Sequence, residues 1–166
     1  MIKSQFTKIG LHKVDAHLEL EKQITSLECD MVESHYSEAD EYIRSIEKKI
    51  KLRNQWVHVD LLKMFNQLRA HMALICELQT SEPDYEDPMA VLEPDEIAIG
   101  IFVKSLFITG SDENLRVSFS GFKALSFDNQ LELKSPPILL DGDYPFATQL
   151  LDLIQDIESE ARQAIY

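Results

Sequence analysis

The sequence predicts an α+β domain, a mainly antiparallel β-sheet with about three helices packed on it. Three observations lead there. Polar and apolar residues alternate over 13–21, 24–32 and 117–120, which is the two-residue period of half-buried strands. Apolar residues recur every three or four positions over 61–78 and 146–165, the period of an amphipathic helix. In chain order the elements read β-β-α-α-β-β-β-α, with no internal repeat, and 166 residues suffice for one hydrophobic core. The expected organisation is one domain over 1–166 carrying an acidic loop at about 80–96.

The first strand is expected over 13–21, with Val14, Ala16, Leu18 and Leu20 on one face and Asp15, His17, Glu19 and Glu21 on the other. Thr25, Leu27, Cys29 and Met31 mark a second, joined to it by a turn at 21–23, and residues 2–11 would add another. Ser37 then has the chemistry of a helix N-cap. Glu38, Asp40 and Glu41 follow where the helix dipole favours acids, and Lys48, Lys49 and Lys51 lie where it favours cations. With Tyr42, Ile43, Ile46 and Ile50 at helical spacing, a helix of about three to four turns is expected here.

Asp60 is the cap expected for the next helix, 61–78. Its stripe is Leu61, Met64, Phe65, Leu68, Met72, Ile75 and Cys76. Spacings of three and four both pass through 69–71, which leaves room for a break. Three prolines and seven acidic residues without a Lys or Arg make 80–96 a loop longer than compact domains commonly use. Strands at 97–109 and 115–125 meet at a turn of Gly110, Ser111, Asp112, Glu113 and Asn114. If Phe119 faces the core, Phe122 faces outward unless the hairpin carries a bulge at Gly121. Short strand pieces at 131–134 and 138–140 flank Pro136 and Pro137. A turn at 141–145 precedes the last helix, 146–165, with its stripe of Phe146, Leu150, Leu153, Ile154, Ile157, Ala161 and Ile165.

Composition narrows the function. The net charge of −13 and the lack of a long basic run argue against binding duplex DNA, which needs cations to displace counterions from phosphates. The longest apolar run, 97–103, is far too short to span a bilayer, and no signal peptide opens the chain. A soluble cytoplasmic protein with two buried, unbridged cysteines, Cys29 and Cys76, is the expectation.

Chemistry-bearing patterns are scarce. The histidines at 12, 17, 35, 58 and 71 show no zinc-site spacing with each other or with cysteine, so no metal or other cofactor is expected. No nucleophile elbow and no glycine-rich phosphate loop is present. Asp112 with Glu113, and Asp141 with Asp143, are read as turn residues rather than acid–base pairs. No catalytic residue is assigned. Two candidate surfaces remain. The acidic loop, through Asp84, Glu86, Asp87 and Glu93, and the acidic face of 146–165 suit a basic protein partner. Phe122 with Lys104, Arg116 and Lys123 would suit single-stranded nucleic acid, if Phe122 is exposed.

Two stretches carry a resemblance. VDLLKMFNQLRAHMALICEL (59–78), and FITGSDENLRVSFSGFKAL (107–125) continuing to LELKSPPILL (131–140), resemble segments of small proteins encoded by phages and prophages of Bacteroidetes. His71 and Glu77 match that family's helix motif and Asp112 its turn, while Leu115 stands where the family often has Gly. The likeness covers roughly residues 57–160. It implies a viral or mobile-element origin and the host cytoplasm, and it brings no catalytic role with it. The resulting expectation is a non-enzymatic phage accessory protein that binds a host or phage protein, with self-association allowed. Contact with single-stranded nucleic acid and sequestration of a small ligand are the alternatives.

Overall fold

The computed structural model describes residues 1–12, 25–55, 59–78, 100–110, 112–142 and 144–165. Its strands are β1 (Ile2–His12), β2 (Thr25–Tyr36), β3 (Tyr42–Gln55), β4 (Ile101–Thr109), β5 (Arg116–Ala124), β6 (Gln130–Lys134) and β7 (Ile138–Leu139). Its helices are α1 (Val59–Ile75) and α2 (Ala147–Ile165). Every strand pairing is antiparallel. The order across the sheet is β3-β2-β1-β4-β5-β6, with β7 alongside β5.

The α+β class with a mainly antiparallel sheet holds, but the described residues contain two helices rather than about three. The helix expected after Ser37 is instead strand β3, which ends the sheet among the described residues. The three isoleucines and Tyr42 of that segment are β-branched or aromatic, residue types that favour a pleated surface. Strand pairing then places Ile46, Ile50 and Leu52 on one face, opposite Glu33, Cys29 and Leu27 of β2. Ser37 caps the connecting turn, not a helix. Its Oγ accepts hydrogen bonds from the backbone N–H groups of Ala39 (3.3 Å) and Glu41 (3.1 Å). The strand expected at 13–21 and the loop at 80–96 lie outside the described residues. The partners of β2 are β1 and β3.

Two bulges shape the face that meets the helices. The β1–β2 register shifts between Phe6 and Lys8, so Phe6 and Ile9, three positions apart, both point to the core. The β4–β5 register shifts between Val103 and Ser105, which does the same for Val103 and Leu106. Gly121 sits at that second bulge, where a Cβ would collide with the carbonyl oxygen of Phe102.

The helices cover this face. α1 buries Leu61, Leu62, Phe65, Leu68 and Met72, and it runs unbroken through Arg69 and His71, with Asp60 inside its first turn. α2 buries Leu150, Leu153, Ile154, Ile157 and Ala161, five of the seven expected stripe positions. They close over Phe6, Ile9, Leu106, Val117 and Phe119 in one continuous cluster. The two halves of the sheet meet at a narrow seam: β1 pairs with β2 through ten residues but with β4 through only Lys8, Ile9 and Gly10.

Candidate protein interface

Beyond Met31 the β1–β2–β3 unit runs on as an arm, and its side chains turn from buried to half-buried or exposed. Charge and ring contacts hold the arm instead of a core. On the helix-side face, Lys48 Nζ lies 2.7 Å from Glu33 Oε1, and His35 Nε2 lies 3.7 Å from Glu33 Oε2. The hydrogen bond from Lys48 holds the Glu33 carboxyl below its ordinary range. On the other face the register sets Lys49 opposite Asp30 and Lys51 opposite Glu28, complementary cross-strand pairs.

The end of the arm is open, and large apolar side chains stand there among exposed charges. Met1, Ile2, Tyr42 and Ile43 are each 60–63% exposed. The N-terminal ammonium donates to the Tyr36 carbonyl (3.0 Å), and the Tyr36 N–H donates to the Met1 carbonyl (2.8 Å), which pins the first residue to the hairpin. Tyr36 and Tyr42 meet edge to face with ring centres 6.0 Å apart, and Lys3 Nζ stands 5.2 Å from the Tyr36 ring centre. The turn between β2 and β3 is completed by Asp40 in the left-handed region, at φ 59°. Large apolar side chains left in water at the end of this hairpin make it the candidate interaction surface.

The residues singled out from the sequence fare differently. Asp84, Glu86, Asp87 and Glu93 lie outside the described residues. On α2, Asp152 and Asp156 are exposed and Glu160 half-exposed, one acidic line along the helix. The nucleic-acid quartet does not assemble. Phe122 is only 2% exposed. It faces away from the helices, as the strand alternation requires, but Phe102 stacks on it at 5.0 Å and Lys104 Nζ caps it at 4.8 Å. Lys123 falls on the opposite face, beside Ile101 and Leu131. Arg116 is exposed at the far end of β5, roughly 20 Å from Phe122 at the usual strand rise.

Other groups became visible only in three dimensions. His71 Nδ1 and the Tyr144 hydroxyl share a 2.6 Å hydrogen bond between α1 and the segment before α2. Burial pushes the imidazole down to about 4, so it is neutral at pH 7. Tyr144 also lines a cavity of about 390 Å³ together with Leu74, Pro137, Ile138, Leu139 and Phe146. Phe127, at the β5–β6 turn, is 95% exposed. Asp128 and Asn129, residue types that reverse turns favour, are the sequence signal for that turn.

Both cysteines are free thiols. Burial, reinforced by Asp30 and Glu28, pushes Cys29 up to about 12, and burial also raises Cys76. Neither is poised as a nucleophile. Among the described residues no group of three or more His, Cys, Asp or Glu is placed to hold a metal ion, and no helix is long and apolar enough to cross a membrane.

No family model, curated protein or solved structure matches this chain.

Proposed function

We propose that this is a non-enzymatic accessory protein of phage or prophage origin that works by binding a protein partner, and that the partner docks on the end of the β1–β2–β3 arm. The observation that carries the proposal is the exposure of Ile2, Tyr42 and Ile43, large apolar side chains left open to water at one end of the hairpin. Aromatic and aliphatic anchors of this kind supply most of the energy of protein interfaces. The acidic loop at 80–96 and the Asp152–Asp156 line on α2 favour a basic partner and would speed the encounter. The phage origin and the setting in the host cytoplasm rest on the resemblance of residues 59–78 and 107–140. The reading as a single-strand binder is set aside, because its stacking residue, Phe122, is covered by Phe102 and Lys104.

The test begins with tagged protein and lysates from infected and uninfected cells. The main co-eluting protein is then purified and its affinity measured against wild type and an Ile2→Ser/Tyr42→Ser/Ile43→Ser variant. The variant is expected to keep its melting temperature and to lose at least tenfold in affinity. Unchanged affinity would remove the arm from the proposal. The absence of a stoichiometric partner from both lysates would remove the binding function itself.

A further inference from the structure

The β5–β6 hairpin carries three features that the arm does not explain. Among the described residues, β6 closes the sheet with no strand on its outer side, and Gln130, Leu131, Glu132 and Lys134 are exposed along it. At its turn, Phe127 and Asp128 both adopt left-handed backbone, at φ 63° and 59°. That conformation is uncommon for a bulky L-residue and persists where the surroundings or a function hold it. The ring it presents is 95% exposed, with Leu125 and Leu131 about half exposed beside it.

We infer that two copies of this chain join through β6, antiparallel about a two-fold axis at Leu133. A symmetric interface must be self-complementary, with each residue meeting the counterpart that meets it in return. Centred on Leu133, Glu132 of each copy lies opposite Lys134 of the other. Both residues sit on the same face of the sheet, opposite Phe122 and Ser120 of β5, so the pairing is geometrically allowed. The ladder runs from Leu131 to Ser135 and stops at Pro136, which has no N–H to donate.

A ladder of that length covers little of the roughly 1,600 Å² that a stable interface buries, so further apolar contact is required. The two ends of β6 provide it. Phe127 lies in the turn that leads into β6, and Leu139 lies in β7 just past its other end, so antiparallel pairing about Leu133 brings the Phe127 turn of each copy toward the β7 end of the other. There the cavity of about 390 Å³ between Leu74, Pro137, Ile138, Leu139, Tyr144 and Phe146 opens. An exposed aromatic and an apolar recess therefore stand at opposite ends of β6, on either side of the axis. Docking is reciprocal, so the pair closes and does not extend into a filament.

The assembly state of the full chain is measured by sedimentation, with three variants beside wild type. Wild type is expected to form a dimer. Glu132→Lys alone and Lys134→Glu alone each set like charges across both pairs and weaken self-association roughly tenfold or more. An equimolar mixture of those two variants restores opposite charges and is expected to restore the dimer. Phe127→Ser weakens the dimer, with a melting temperature unchanged at dilutions where wild type is monomeric. A wild type that stays monomeric at high micromolar concentration overturns the inference. Single-charge variants that dimerise like wild type also overturn it, as does a mixture that stays monomeric.

Discussion

On β5, Val117 and Phe119 lie beneath two helices with almost no surface left to water, whereas on β3 a similar strand leaves Ile46 and Ile50 half covered and Ile43 open. The backbone chemistry is the same in both places: antiparallel ladders of ordinary length. What differs is cover. Burial of apolar area gives a side chain most of its stabilising value, and β5 has it while the arm does not. The arm relies on its ladder, on the Glu33–Lys48 contact and on paired charges across β2 and β3, each worth little in water. The difference separates the part of the molecule that keeps the fold from the part free to serve a partner.

The largest test of this contrast is truncation under the helices. Phe119→Ala removes a ring with no exposed surface and is expected to cost about 3–5 kcal/mol of stability, read from denaturant unfolding. A loss under about 1 kcal/mol would mean the helix-covered half is loosely packed.

A second test uses pH on the same half. The folded His71 imidazole titrates near 4, below the ~6.5 of an exposed one, so the folded state takes up this proton less readily than the unfolded chain. Its neutral ring contributes fully above about pH 6.5. The contribution falls as the pH drops toward 4 and is constant below that, a change of about 3 kcal/mol at most. Unfolding curves at pH 7.5, 5.5 and 4 should show His71→Gln losing less stability on the acid side than wild type. Equal losses would assign the acid sensitivity to other groups.

The smallest effect is expected on the arm. Ile46→Ala should cost about 1 kcal/mol or less, since the side chain is already partly in water. A cost near that of Phe119→Ala would dissolve the contrast and imply hidden cover over the arm.

The contrast also explains what could be read from the sequence. Helix α2 was legible because one side of it is buried throughout, so its stripe was unambiguous. Helix α1 was legible for the same reason. Segment 42–55 was not, because as a half-exposed strand it has no strict alternation. Ile43, Ile46 and Ile50 also fit a helical turn, and Ser37 satisfies a turn as readily as a helix. The deciding information lay in the complementarity of β3 to β2, which local spacing does not carry. Phe122 was placed on the right face, but its burial depends on Phe102 and Lys104 across a bulge. The contact between His71 and Tyr144 spans 73 positions and exists only once α1 and α2 pack. For the candidate surfaces the limit was similar. The acidic line of α2 was readable, while the open ends at Ile43 and Phe127 follow from what fails to cover them.

The three-residue seam between β1 and β4 has a consequence for how the molecule assembles. Strands β2 and β3 are neighbours in sequence, as are β4, β5 and β6, so each group can pair early through short loops. Lys8 and Phe107, in contrast, are separated by roughly a hundred residues, and three pairs are a small return for closing so long a loop. The two groups should therefore form first and the seam last, once the helices have bridged them. Pulled apart, the sheet should divide at that line, into two pieces that each keep their own ladders.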